Sequence, residues 1–213
     1  MPIHLVRHGE VDNPGRVVYA DLPGFGLSDR GRSEARAAAQ HLAGIGVDHI
    51  CTSPLQRARE TAAVISQATG AGVESRDDLV EWHLGRRWAG VTWEDIPARF
   101  PGELEAYLEA PTELDFSPES LQELAERIAG AVLEVAAAHG AGESVVIVSH
   151  QDPIQAGRLA LLEQPLNTLQ ANKPGHCDVI TLEPGSPWRE LAHWQPQVPG
   201  PPPAAWPPVT NPG

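Results

Sequence analysis

The chain is short of several features that would mark a specialised class. Its two cysteines, Cys51 and Cys177, in 213 residues make neither a disulfide framework nor a CxxC pair, and each sits in an apolar run where a buried, unreactive thiol is expected. No apolar run reaches the roughly 18 residues that a membrane-spanning helix needs, and no signal-type segment is visible. A soluble, cytoplasmic protein without membrane contact is expected. There is no repeat of solenoid length. Basic residues are scarce: 15 Lys and Arg face 28 Asp and Glu, a formal net charge of -13. A surface of that sign repels nucleic-acid phosphates, so a polynucleotide partner is not expected.

What is present suffices for an ordinary domain. A 41% hydrophobic content, with 20 glycines besides, supports a core of normal size. Proline is abundant, but eight of the 21 lie between Pro196 and Pro212. Residues 195–213 therefore read as an extended or disordered tail, and residues 1–194 as one catalytic domain. Short β-branched runs at Ile3–Val6, Ile50–Thr52, Val73–Ser75 and Ser144–Val148 alternate with helical stretches at Asp29–Gly44, Pro54–Ala68, Ser120–Ala138 and Pro153–Leu162. Two more runs, Cys177–Leu182 and Trp188–His193, suit an antiparallel edge pair. The pattern predicts a three-layer α/β/α sandwich around a mostly parallel, mixed sheet. Residues 80–118, with Trp82, Trp88 and Trp93, break the rhythm and read as a small cap insertion. Ser53-Pro54-Leu55-Gln56 and Asp152-Pro153 carry the signature of capped helix starts.

Both of those helices follow strands, and open α/β sheets bind ligands at the carboxyl ends of their strands. His8 and His150 each end an apolar strand, Arg7 precedes His8, and the helical stripe of Arg57 turns it toward the sheet end. Arg7, His8, Arg57 and His150 form a cationic cluster on an acidic protein. A phosphoryl group explains it, because arginine forks match phosphate oxygens and phosphoryl transfer is catalysed mainly by positioning and charge neutralisation.

Arg7-His8-Gly9-Glu10, the run from Ser53 to Ala62, Leu79-Val80-Glu81 and Val148-Ser149-His150 resemble, in order, the four signatures of the histidine phosphatase superfamily, the phosphoglycerate-mutase-like family. The resemblance implies a phosphomonoester hydrolase that acts on a small phosphorylated metabolite through a phosphohistidine on His8. Arg7, Arg57 and His150 would hold the phosphoryl oxygens and Glu81 would be the general acid, kept protonated by desolvation near Trp82. His8 should be neutral and His150 cationic, with their pKa values pushed apart. No metal and no cofactor is implied. The partner would be a small-molecule phosphate ester; a homodimer is left open.

The chain also departs from the family pattern. Asn13 stands one place early but offers an amide to phosphate, and Gln151 replaces a common glycine, keeping its N–H while narrowing the pocket floor. The Gly-Arg often found near Ala20-Asp21 is missing. An extra residue between Glu81 and Gly90 leaves the register of Arg86 and Arg87 open, between substrate contact and solvated charge. The tryptophans of 80–118 suggest an apolar or aromatic leaving group. A mutase on the same site is the runner-up, disfavoured because Trp88 to Pro118 offers only Arg99 as a cation. A ribonuclease-like histidine pair and a catalytically silent phospho-ligand binder are the alternatives of other classes.

Overall fold

The strands assemble into one six-stranded mixed sheet in a computed structural model that describes residues 2–140 and 142–198. The expected Pro-rich tail lies, beyond Val198, outside the described residues. In chain order the elements are β1 (Ile3–Arg7), α1 (Asp29–Ile45), β2 (His49–Thr52), α2 (Gln56–Thr69), β3 (Gly72–Ser75), the short α3 (Leu84–Arg87), α4 (Ile96–Arg99) and α5 (Glu103–Glu109), then α6 (Leu121–Ala138), β4 (Val145–Ser149), α7 (Gln151–Leu161), β5 (Val179–Glu183) and β6 (Arg189–Trp194). Spatial order is β3-β2-β4-β1-β5-β6. The first four of these strands are mutually parallel; β5 and β6 are antiparallel to their neighbours.

The near-continuous apolar run of β4 follows from cover on both faces. Its Val145 and Ile147 pack in a cluster with Leu124, Ile128 and Val132 of α6, whereas Val146 and Val148 pack with Ala35 and Leu42 of α1 and Ala62 and Ile65 of α2. Because side chains alternate across a strand, both faces must be apolar, and α/β/α layering follows. Ser120 and Glu123 close a capping box at the start of α6. Helix α7 lies tight against α6, where a Cβ added to Gly157 would fall 2.4 Å from Ile128 Cγ2. Helix α1, capped by the Ser28 side chain, abuts the turn after β1: a Cβ on Gly9 would lie 2.6 Å from the Gly31 carbonyl oxygen. Among the described residues no helix is long and apolar enough to cross a membrane.

Three local expectations are corrected. Helix α2 starts at Gln56 rather than Pro54, and the N-cap position falls to Leu55, which makes no side-chain cap. Ser53 Oγ lies 2.8 Å from His150 Nε2 and also accepts from the Leu55 N–H at 3.3 Å, and Gln56 donates to Glu60. Asp152 does not cap α7, whose N-cap residue is His150; its carboxylate pairs with Lys173 at 2.6 Å and accepts from the Tyr107 hydroxyl at 3.0 Å. For Asp152, largely buried partners outcompete a helix-end amide that water can serve. Cys177 lies just before β5 with φ 56, a buried free thiol.

The tryptophans of 80–118 do not form an exposed face. Trp82 and Trp88 are buried in the same core cluster as Ile3 and Leu5 of β1, and Trp93 packs on it. Their indole N–H groups are occupied too, Trp82 by the Glu119 carbonyl and Trp88 by the Glu103 carboxylate. Trp88 and Trp93 belong to the core and give no ground for an aromatic leaving group, whereas Trp82, also buried, lines a cavity beside Glu81.

Candidate active site

The pairing of β1 with β4 sets Arg7 opposite Ser149, and the ladder extends by one bond from His8 N to the Ser149 carbonyl, 3.0 Å. The residues that follow, His8 and His150, therefore emerge side by side at the carboxyl edge of the sheet, ring centroids 5.2 Å apart. Arg57, in the first turn of α2, is buried against them. Glu81 follows a segment held by the Ser149 hydroxyl on the Leu79 carbonyl and by Arg127, which donates to the Asp78 and Val80 carbonyls. The structure thus brings together Arg7, His8, Arg57, Glu81 and His150, drawn from four separate stretches of chain.

The hydrogen bonds assign the tautomer of His8. Its Nδ1 lies 2.8 Å from the Gly9 carbonyl oxygen, which can only accept, so Nδ1 carries the proton. The other ring nitrogen, Nε2, accepts from Arg57 Nε at 3.2 Å and holds a lone pair. Burial, then the charges of Arg57, His150 and Arg7, push the His8 pKa well below 6.5. His8 is thus held as a neutral imidazole with Nε2 unprotonated.

The expected separation of the two histidines is not found. Burial and the charges of Arg57 and Arg7 also hold His150 well below 6.5. Glu81 is shifted as expected: burial first, then the Asp152 carboxylate, raise it from 4.5 to about 7. Its Oε2 stands 3.9 Å from Arg57 Nη2 and 3.8 Å from His150 Nδ1, and its Oε1 accepts from the Trp82 N–H.

Two buried polar atoms at this cluster have no hydrogen-bond partner among the described residues: Arg7 Nε and His150 Nδ1. A buried polar atom without a partner is costly, and both belong to side chains of the cluster around His8. The rest of each side chain is pinned. Arg7 donates to the Pro174 carbonyl and contacts His176 Nε2, each at 3.0 Å, and Arg57 Nη2 donates to the Ala20 carbonyl at 2.8 Å.

Other sequence-predicted residues are placed differently. Asn13 closes its own turn, bonding both N–H and C=O of Val17, and the Gln151 amide donates to the Pro174 carbonyl. Arg87 turns to Glu103. Arg86 reaches Asp21 at 2.7 Å, so a basic group does arrive at the rim where the usual Gly-Arg is missing. His176 and Ser53 were not foreseen as parts of the site. A lone histidine among turn residues gives no periodic signal, and Ser53 looks like any cap.

Residues 3–196 match the histidine phosphatase superfamily (branch 1), and the chain belongs to that family: it is a phosphatase. It is 36% identical to phosphoserine phosphatase 1 of Hydrogenobacter thermophilus over 161 residues, 74% of each chain. It is 34% identical to glucosyl-3-phosphoglycerate phosphatase of Mycobacterium tuberculosis over 201 residues, 90% of this chain and 86% of the relative. The solved complex of mycobacterial glucosyl-3-phosphoglycerate phosphatase with inorganic phosphate superimposes with a TM-score of 0.78 at 32% identity, covering 90% of this chain and 95% of that one.

Proposed function

We propose that this phosphatase hydrolyses the phosphate monoester of a small metabolite through a phosphohistidine on His8. The observation that carries the reading is the unprotonated Nε2 of His8 in a buried cluster where Arg7 Nε and His150 Nδ1 are left without partners. A phosphoryl group bound there would accept from Arg7 Nε and from the Nδ1 of a protonated His150, while the arginines neutralise its charge. His8 Nε2 attacks phosphorus as the ester P–O bond breaks, and the Glu81 carboxyl passes its proton to the leaving oxygen. Water then attacks the phosphohistidine, giving a proton to the Glu81 carboxylate, and inorganic phosphate leaves with His8 restored. The phosphoryl dianion offsets the arginine charges that depress His150, which favours its protonated, donating form once substrate is bound.

Both named relatives are phosphatases, which favours hydrolysis over transfer between metabolites. The side chains of Asn13 and Gln151 are committed to the protein. The two free, buried thiols suit a reducing, cytoplasmic setting. The test is a rapid alkaline quench with labelled phosphomonoester. Acid-labile label on His8 is expected, and Arg7→Ala, Arg57→Ala and His150→Ala should each slow its formation by roughly 10²- to 10³-fold. An unlabelled wild type, together with full activity of His8→Ala, would overturn the mechanism.

A further inference from the structure

Arg7 is held by its backbone and by its side chain from one short stretch, residues 174–177. The Cys177 N–H donates to the Arg7 carbonyl at 3.0 Å, which carries the β1–β5 pairing one step past Val6 and Val179. At the far end of the side chain, Nη1 donates to the Pro174 carbonyl and Nη2 to His176 Nε2, each at 3.0 Å. The remaining guanidinium nitrogen, Nε, is buried and has no partner among the described residues.

The stretch is braced to do this. Cys177 keeps a left-handed backbone at φ 56, a conformation that a residue with a side chain holds only where its surroundings enforce it. Asp178 supplies much of the bracing: its Oδ2 accepts from the Gly175 N–H at 2.9 Å, from His193 Nε2 at 2.7 Å and from the Gln195 amide at 3.1 Å. Gln151 adds a bond to the Pro174 carbonyl, also at 3.0 Å.

A guanidinium nitrogen only donates, so His176 Nε2 is unprotonated and the ring carries its proton on Nδ1. Burial, then the charges of Arg7 and Arg30, hold the His176 pKa well below 6.5 and preserve that state. The ring stands 5.9 Å from that of His8, centroid to centroid, but its lone pair is committed to Arg7, which leaves it no role as a second nucleophile. The kind of acceptor matters. Arg76, Arg127 and Arg158 each pair with a carboxylate at 2.5 to 2.7 Å, which offsets their charge. Arg7 is held by a carbonyl and an imidazole, which direct its N–H groups while leaving its positive charge available to an anion. Resting on the phosphohistidine reading above, we propose that His176 is a positioning residue: by accepting from Arg7 Nη2 it fixes the rotation of the guanidinium, so that Nε meets the phosphoryl group as it transfers, and does so without neutralising the arginine.

The test measures, in the full chain, how fast labelled p-nitrophenyl phosphate marks His8 in a single turnover, as a function of ester concentration. His176→Leu, which removes the acceptor, should slow labelling at saturation by about tenfold or more, the scale of one charged hydrogen bond, and should shift the half-saturating concentration by less than about threefold, because Arg7 keeps its charge and loses only its direction. His176→Gln, whose amide oxygen is again a neutral acceptor, should recover most of that loss. His176→Glu also accepts from Arg7 but cancels its charge, and should label as slowly as His176→Leu. Wild-type labelling by His176→Leu, or equal losses in His176→Leu and His176→Gln, overturns the assignment. Thermal melts accompany the series, and if His176→Leu does not fold, equal rates for His176→Gln and His176→Glu overturn it instead. A wild type that takes no label on His8 defeats the phosphohistidine reading and the proposal with it, whereas a labelled wild type with unmoved variants defeats the proposal alone.

Discussion

Replacing Glu81 by glutamine should cost activity and add stability, and the two effects have separable signatures. An amide has the shape of the protonated carboxyl but never ionises. In the folded protein the Glu81 carboxyl keeps its proton up to about pH 7, against 4.5 for the ordinary group. Between those values the folded state binds more protons than the unfolded state, so the carboxyl's contribution is fully present below 4.5 and is lost as pH rises through about 7. At 1.36 kcal/mol per pH unit the difference amounts to ~3 kcal/mol. The group is one-fifth exposed (21%), so screening leaves most of this intact. Glu81→Gln should therefore match the wild type near pH 4.5 and exceed it by ~3 kcal/mol at pH 8, a rise of about 6–12 °C in midpoint for a domain of this size. Buried histidines titrate alike in both proteins and cancel. Turnover of an alkyl phosphate should fall by about 10²- to 10⁴-fold, whereas p-nitrophenyl phosphate, whose phenolate leaves without a proton, should lose far less. Thermal melts at the two pH values and kcat on the two esters make the test. A stability gap that ignores pH, or equal losses on both esters, would refute the assignment of Glu81 as a buried acid.

Two further outcomes follow from the packing. His4, bonded to Thr181 and Ser144, is lowered to about 4 by burial, and His8, His150 and His176 are lowered as well; groups of this sign stabilise above 6.5 and withdraw that stability as pH falls. In the Glu81→Gln background, which removes the opposing carboxyl, His4 alone should cost ~2 kcal/mol between pH 7.5 and 5, with the other three adding in the same direction; a flat urea midpoint across that range would contradict it. Gly157→Ala should destabilise by about 1–3 kcal/mol, since its Cβ would lie 2.4 Å from Ile128 Cγ2 and overpacking outweighs the gain in helix propensity; a raised melting temperature would show that α6 and α7 can slide apart freely.

The sheet and the centre of the site were legible for one physical reason. Strands buried on both faces read as short apolar runs, and a polar residue ending such a run stands at the sheet's edge. His8 and His150 are therefore visible in sequence, and the Arg7–Ser149 register makes them neighbours. What stayed hidden were choices between a near and a distant partner. Ser53 carries the same local signature whether it caps α2 or bonds His150, 97 positions away, and Asp152 likewise has Tyr107 and Lys173 as partners only once the chain is folded. His176 contacts Arg7 across 169 positions, a relation with no periodicity. The tryptophans misled because burial, rather than exposure, uses their area.

Strand β1 is made well before the strands it pairs with. Its partners begin at Val145 and Val179, so a ribosome adding roughly 5–20 residues per second leaves Ile3–Val6 without neighbours for roughly ten seconds. Arg7 and His8 ride on that strand. Every nascent chain that stops short of β4 thus carries His8 without His150 beside it, and the cluster is assembled only once that strand has paired. The same delay exposes an aggregation-prone apolar edge during synthesis, which makes β1 the stretch where a bound chaperone would matter most.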